Sequence, residues 1–233
     1  MTMLITGASG QLGRAFRERL GLRDRILFAN HAEFDLFQTE TLQKQLDKIR
    51  PSTIINCAAY TAVDAAEIHP ELAFRINSGS VGELSRWCAR EEAFLVHFST
   101  DYVFDGEKQA IYTEEDIATP LSVYGKSKRG GEEKFLEAGC NGICLRTSWL
   151  HSAHCENFFS KMLLLLKTRE SVKVVNDQTG VPTTAAYLVD LTLELLKSRA
   201  ILRNGNAILH ACPSGQATWY DFANYIRKRM ISE

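Results

Sequence analysis

Apolar and polar positions along this chain fall into blocks that switch between two periods. Apolar runs of strand length recur at Met1–Thr6, Arg25–Ala29, Thr53–Ala59, Ala93–Phe98, Ile143–Arg146, Val172–Val175 and Asn206–Cys212. Between them lie stretches with apolar residues at helical spacing. One begins at Arg14; the others are Thr41–Ile49, Asn77–Glu91, the segment from Pro120 through Glu137, Phe158–Lys167, Ala185–Ser198 and Thr218–Met230. In Asn77–Glu91 the residues Val81, Leu84, Trp87 and Cys88 share one face, the pattern of core positions. Strand-length runs alternating with amphipathic helices predict an α/β fold, a doubly wound parallel sheet with helices on both faces. No internal repeat, low-complexity tract or flexible linker breaks the alternation.

The first strand runs at once into Gly7-Ala8-Ser9-Gly10-Gln11-Leu12-Gly13, then a helix. Strand, tight glycine turn and helix form the opening unit of a dinucleotide-binding (Rossmann-like) fold. An anionic pyrophosphate settles on the unpaired N–H groups at a helix N-terminus, and a turn without β-carbons lets it approach. The spacing is Gly-x-x-Gly-x-x-Gly rather than Gly-x-Gly-x-x-Gly, and a turn that only packs strand on helix has the same look. At the end of the second strand an acidic residue would pair with the adenosine ribose. Asn30-His31 stands there instead. Neither repels a 2′-phosphate and Arg14 is near, so NADP(H) is favoured, with NAD(H) as the other option. Asp35 and Leu36 are placed beside the adenine; Asp35 as a helix cap is the competing reading. The third strand ends in small residues, Ala58 and Ala59, followed by Tyr60 and Thr61, where the backbone approaches a ligand in the crevice.

Composition changes little. The chain has 233 residues, 45% hydrophobic and 24% charged, with net charge −1. That suits a globular core and leaves no basic footprint for nucleic acid or an anionic membrane. Apolar runs are too short to span a bilayer. No basic region precedes the first apolar run, so no signal peptide is expected and a cytoplasmic protein follows. The six cysteines read as small buried hydrophobes. Cys140, Cys144, His151, His154 and Cys155 suggest zinc by proximity, but Cys144 falls inside a strand and no Cys-x-x-Cys occurs.

The fourth strand ends in Ser99-Thr100-Asp101-Tyr102, and Tyr124 and Lys128 lie one helical turn apart. An ammonium beside a phenol favours the phenolate, which predicts a tyrosine tuned toward neutrality for proton transfer to a carbonyl oxygen. Thr100 can donate to the same oxygen. In this order the chain resembles the extended short-chain dehydrogenase/reductases, and within them the dTDP-4-dehydrorhamnose reductase family. The resemblance rests on Gly7–Gly13, NCAAYTAVDAAE (Asn56–Glu67), STDYVFDG (Ser99–Gly106), PLSVYGKSKRGGE (Pro120–Glu132), LRTSW (Leu145–Trp149), NDQTGVPT (Asn176–Thr183) and Thr218–Phe222.

The resemblance implies Thr100, Tyr124 and Lys128 as catalytic residues. It implies Gly7, Gly10, Gln11, Leu12, Gly13, Ala58, Ala59, Tyr60, Thr61, Tyr124 and Lys128 around the cofactor, with Thr100, Asp101 and Trp149 facing a nucleotide sugar. Asp101 as a turn cap, Trp149 as core, Thr100 as a local hydrogen-bonder and Asn176–Gln178 as plain loop stay open beside it. The implied organisation is a dinucleotide-binding domain over residues 1–168 and a small substrate-binding region over 169–233, partly interleaved with the first. Family members continue past the last helix, so a shortened sugar pocket is expected. Some relatives bind magnesium through glutamates at a dimer interface; those positions are Ala15 and Ala186 here, so no metal is expected, while a homodimer stays plausible by resemblance. The implied reaction is NAD(P)H-dependent reduction of the 4-keto group of dTDP-4-dehydro-L-rhamnose. A reductase or epimerase of another nucleotide sugar, and a non-catalytic dinucleotide-binding regulatory subunit like that of methionine adenosyltransferase, are the alternatives.

Overall fold

The computed structural model describes residues 2–198 and 205–231. Six strands form the central sheet: β1 (Met3–Thr6), β2 (Ile26–Ala29), β3 (Thr53–Asn56), β4 (Phe94–Thr100), β5 (Gly142–Thr147) and β9 (Asn206–His210). Their order is β2-β1-β3-β4-β5-β9, and every neighbouring pair is parallel. Every residue of β3, β4 and β5 is buried. Strands covered on both faces have no solvent side, which is why they read as continuous apolar runs.

Helices α1 (Gln11–Leu20) and α8 (Ala185–Lys197) cover one face. Phe16, Leu188 and Val189 pack there against Ile5, Ile55, Val96 and Ile143. On the other face lie α2 (Thr39–Ile49), α5 (Ser80–Arg90) and α6 (Val123–Ala138), whose Leu42, Leu84, Trp87 and Phe135 meet Leu4, Ile54 and Leu95. The expected doubly wound architecture is the observed one.

Three local expectations change. The first helix starts at Gln11, not Arg14, so Gln11–Gly13 belong to its first turn. The helix expected from Asn77 begins earlier. After α3 (Val63–Ile68), α4 (Pro70–Phe74) opens with proline at its first position, passes through one π-helical turn at Arg75–Gly79 and continues as α5. A π-turn inserts a residue and rotates the face, which a 3.6-residue period does not register. Val172–Val175 forms no strand. Val172 and Val174 instead pack on α7 (Phe158–Thr168) and α9 (Trp219–Ile231), and the Val175 carbonyl accepts from the Tyr220 N–H. Helices satisfy that apolar alternation where a ladder was expected.

Two short ladders lie above the sheet. β6 (Leu150–His151) pairs in parallel with β8 (Thr183–Thr184), and β7 (Thr179–Gly180) pairs antiparallel with β10 (Ala217–Thr218). A small cluster around Met162, Phe222 and Ile226 joins α7 to α9, whereas α8 and β9 return to the sheet. Among the described residues no helix is long and apolar enough to cross a membrane.

Among the described residues one ion pair has both partners buried. Arg146 on β5 donates twice to Glu132 on α6, Nε to Oε1 and Nη2 to Oε2, both at 2.8 Å. Burial alone would raise the Glu132 carboxyl, but hydrogen bonds and charge from Arg146, with help from Ser99 and Arg129, hold it below the usual carboxylate range. Removing one partner strands a buried charge. Arg146→Ala is therefore expected to lose about 3–5 kcal/mol in urea unfolding. A carboxyl lowered on folding stabilises above its unfolded pKa and ceases to as pH falls through its folded value. The wild type should thus lose part of its stability below the ordinary carboxylate range, and Arg146→Ala should show less of that acid-side loss.

Candidate active site

The strand order reverses between β1 and β3, and a doubly wound sheet opens its crevice there, outside the carboxyl ends of the strands. The glycine turn and the Ala58–Thr61 loop are its two walls. Gly7 sits at φ +64°, and a Cβ on it would lie 2.7 Å from the Ala58 nitrogen. A Cβ on Gly13 would lie 2.3 Å from the Gly7 carbonyl oxygen. Gly7 thus lets the turn lie directly against the Ala58 wall, and Gly13 closes the turn on itself. Gly10 differs: it is the N-cap of α1, no side chain caps that end, and the first turn holds no acidic residue. The donor set is that of an anion site, with helix N–H groups facing an open turn. Gln11 is also an anchor, accepting from Asn157 Nδ2 at 2.8 Å and so tying α1 to the loop before α7.

The far wall is held by a residue that the helical pattern marked only as the start of a helix. Asn77, in the π-turn and fully buried, accepts from the Tyr60 N–H at 2.8 Å and donates to the Tyr60 carbonyl at 2.9 Å. Its amide also donates to Ser127 Oγ, whose hydroxyl donates to the Tyr124 carbonyl. The signal was present: a polar residue four before Val81 and seven before Leu84, on the apolar face.

At the end of β2, Asn30 spends its side chain on its own turn, accepting from the N–H groups of Ala32 and Glu33. Glu33 folds back to accept from the Asn30 N–H at 2.9 Å, so a carboxylate does reach this strand end. Asp35 accepts from the Phe37 N–H and lies 3.2 Å from His31 Nδ1, while Leu36 is buried in the core. Their side chains are occupied by structural contacts. Arg14 is anchored to the Ser9 carbonyl at 2.8 Å, beside the α1 N-terminus.

Thr100, Asp101, Tyr124 and Lys128 come together beyond β4. Ser122 caps α6, accepting from the Gly125 N–H at 3.0 Å. A Cβ on Gly125 would lie 2.2 Å from the Tyr102 carbonyl oxygen, so only glycine lets the first turn of α6 rest on the turn after β4. That contact sets the Tyr124 ring edge-on to Tyr102, with centroids 5.6 Å apart. Thr100 Oγ1 accepts from the Tyr102 N–H and donates to Asp101 Oδ1 at 3.1 Å. Ser148 donates to the other Asp101 oxygen at 2.7 Å. Ser148 joins the ends of β4 and β5 and escaped the sequence reading, although it stands beside Trp149 in the same motif.

The electrostatics depart from expectation. Burial pushes the Tyr124 phenol well above its ordinary value; a hydrogen bond with Thr100 opposes this, and Asp101 and Tyr102 add to it. Burial pulls Lys128 down to about 8, with Cys144 and Glu132 opposing. The lysine does not lower the tyrosine. Its nitrogen donates to the Phe98 carbonyl and lies 3.4 Å from His97 Nε2, so its head turns into the sheet although both side chains share a helix face. Burial also raises the Asp101 carboxyl, against hydrogen bonds from Ser148 and Thr100.

Trp149 leaves β5 at φ +45°, a strained conformation for a bulky residue. Its ring stacks on Trp219 with centroids 3.5 Å apart, and a Cβ on Gly180 would lie 2.4 Å from it. It therefore joins the catalytic end of the sheet to the small α7–α9 cluster. Asn176 accepts from Thr218 Oγ1 at 2.7 Å, closing the loop beneath.

A family model described as RmlD substrate binding domain matches residues 1–233. The dTDP-4-keto-6-deoxy-D-glucose reductase of Streptomyces niveus is 38% identical over 223 residues, 94% of this chain and 75% of that protein. The dTDP-4-dehydrorhamnose reductase of Burkholderia thailandensis is 38% identical over 230 residues, 97% of this chain and 77% of that protein. A crystal structure of dTDP-4-dehydrorhamnose reductase from Bacillus anthracis in complex with NADP matches with a TM-score of 0.91 at 34% identity, over 99% of this chain and 82% of that one. A strand order that opens a dinucleotide crevice, a Thr–Tyr–Lys cluster at its rim and these likenesses over nearly all of this chain agree: the chain belongs to the dTDP-4-dehydrorhamnose reductase family.

Proposed function

We propose that this chain reduces the 4-keto group of dTDP-4-dehydro-L-rhamnose to dTDP-L-rhamnose, with NADPH as the preferred reductant and NADH accepted. The observation that carries this is the gathering of Tyr124 and Thr100 at the carboxyl end of β4, with Lys128 one turn on, in a chain of this family whose first strand leads into an uncapped helix N-terminus. A nicotinamide dinucleotide supplies hydride when bound. The residues that would hold it are Gly7 and Gly10–Gly13 at the pyrophosphate, Ala58–Thr61 on the opposite wall, the backbone around Asn30, Asp35 and Leu36, and Tyr124 with Lys128 at the nicotinamide end. The donor set fits such a group, since the first turn of α1 offers N–H groups without a competing cap.

The tyrosine is suited to act as an acid. A phenol held above its usual range keeps its proton at neutral pH. It gives that proton to the carbonyl oxygen as the carbon is reduced, and the Thr100 hydroxyl, on turning from Asp101 to the substrate, supplies a second donor to the developing alkoxide. Lys128 stands one turn away to answer the phenolate that remains. Asp101, pinned by Thr100 and Ser148, and Trp149, stacked on Trp219, are proposed to face the sugar nucleotide.

The first test follows NADPH consumption with dTDP-4-dehydro-L-rhamnose. Tyr124→Phe is expected to lower kcat by about 10²–10⁴ while leaving NADPH binding intact; full turnover in that variant would overturn the mechanism. A parallel assay with dTDP-4-keto-6-deoxy-D-glucose tests the sugar, and preference for it would move the assignment to the activity named for the Streptomyces relative. Asn77→Ala leaves both polar groups of the Tyr60 backbone without their partner. It should weaken NADPH binding about tenfold, or about 1.4 kcal/mol, by fluorescence titration.

A further inference from the structure

Behind Lys128 lies a buried row of polar side chains outside the proton transfer described above. Thr6, Asn56 and His97 are register neighbours on β1, β3 and β4, and all three are at most 1% exposed. They continue the face on which Leu4, Ile54 and Leu95 are core. Thr6 Oγ1 lies 2.6 Å from Asn56 Oδ1, Asn56 Nδ2 lies 3.2 Å from His97 Nδ1, and His97 Nε2 lies 3.4 Å from Lys128 Nζ.

Donors and acceptors along this row leave few choices. A contact of 2.6 Å is an O–H···O distance, short for N–H···O, which turns the Asn56 oxygen to Thr6 and its NH₂ to the ring. An NH₂ group only donates, so Nδ1 of His97 accepts. Burial, and then the Lys128 charge, keep the ring neutral. A neutral ring whose Nδ1 accepts carries its proton on Nε2. That N–H points at Lys128 Nζ. An ammonium has no lone pair to receive it; a free amine has one, and still has an N–H for the Phe98 carbonyl.

We propose that His97 is a positioning residue for Lys128: the Thr6–Asn56 pair locks its proton onto Nε2, and the N–H so presented favours the free-amine form of the lysine. This deepens the reading of the site given above and rests on it for its catalytic meaning. When Tyr124 has protonated the substrate oxygen, its phenolate must be reprotonated. A lysine that readily becomes an amine supplies this proton by way of water between the two side chains: an N–H bond breaks at Nζ, the water passes a proton on, an O–H bond forms at Tyr124, and the lysine regains its proton from solvent. The other groups that bear on Lys128 are Glu132 on its own helix, already paired with Arg146, and Cys144 on β5. Tyr124 lies one turn before it, and Asn56 and His97 complete the surroundings from β3 and β4. Burial raises the Cys144 thiol, so it stays neutral. The row is therefore the polar influence on Lys128 that a substitution can remove without touching charge.

The test uses the whole chain without substrate or cofactor, so its outcome is separate from that of the reductase assay. Long-range ¹H–¹⁵N correlation spectra identify the protonated ring nitrogen of His97. Nε2 is expected; a proton on Nδ1 would overturn the proposal. A ¹³Cε titration of Lys128, assigned by its absence in Lys128→Met, then reads the lysine directly. The wild-type midpoint is expected at about 8. Asn56→Leu frees the ring to accept from the ammonium, and the midpoint should rise by about one pH unit, a tenfold gain in proton affinity. Thr6→Val, nearly isosteric, should move it the same way and carries the test if Asn56→Leu does not fold. An unchanged or lowered midpoint in the folded variants would mean that the row only packs, and would sink the idea.

Discussion

Everything at the catalytic end depends on how a polar helix face is buried. The inner side of α6 carries Ser127, Lys128 and Glu132 between Gly125, Gly131 and Phe135. A polar group taken from water without a partner costs free energy, and a charge costs far more. Each of these side chains has its own answer from a different element: Asn77 in the π-turn for Ser127, the Phe98 carbonyl and His97 on β4 for Lys128, and Arg146 on β5 for Glu132. The helix has one seat on the sheet that satisfies all three, and that seat places Tyr124 beside Thr100.

The same economy appears at the dinucleotide crevice. Gly7 is required by the backbone of Ala58 on the opposite wall, Gly13 by the turn itself, and Gly10 leaves the helix end open. The opposite wall is a loop whose backbone would be mobile without Asn77, which pairs both polar groups of Tyr60. The π-turn has a cause in this arrangement. It lies where Asn77 must reach Tyr60 on one side and Ser127 on the other, and an inserted residue re-aims a side chain without ending the helix.

The small α7–α9 cluster reaches the site through Trp149. Its backbone is strained and its ring is held between elements distant in sequence, Trp219 and Gly180. Ser148, the residue before it, grips Asp101. The part of the molecule proposed to face a sugar nucleotide is thus fastened to the Thr100–Tyr124 cluster through two adjacent residues at the end of β5.

Much was legible from sequence because it depends on local periodicity and local backbone chemistry. The alternation of strand and helix and the glycine turn needed only neighbours along the chain, whereas Thr100, Tyr124 and Lys128 were singled out through motif order and family resemblance. Helix starts were less legible, because α1 begins inside its glycine turn and α4 begins at Pro70 ahead of a π-turn that breaks the 3.6 period. Val172–Val175 looked like a strand because alternation records only that one side is buried, and here helices cover that side. The direction of the Lys128 head, the raised Tyr124 phenol, the return of Glu33 to Asn30 and the Thr6–Asn56–His97 row were decided by tertiary structure alone. The physical reason is one of range. Propensity and pattern are properties of a few consecutive residues, whereas burial and hydrogen-bond partnership are set by residues on other strands, which the chain brings together only when it folds.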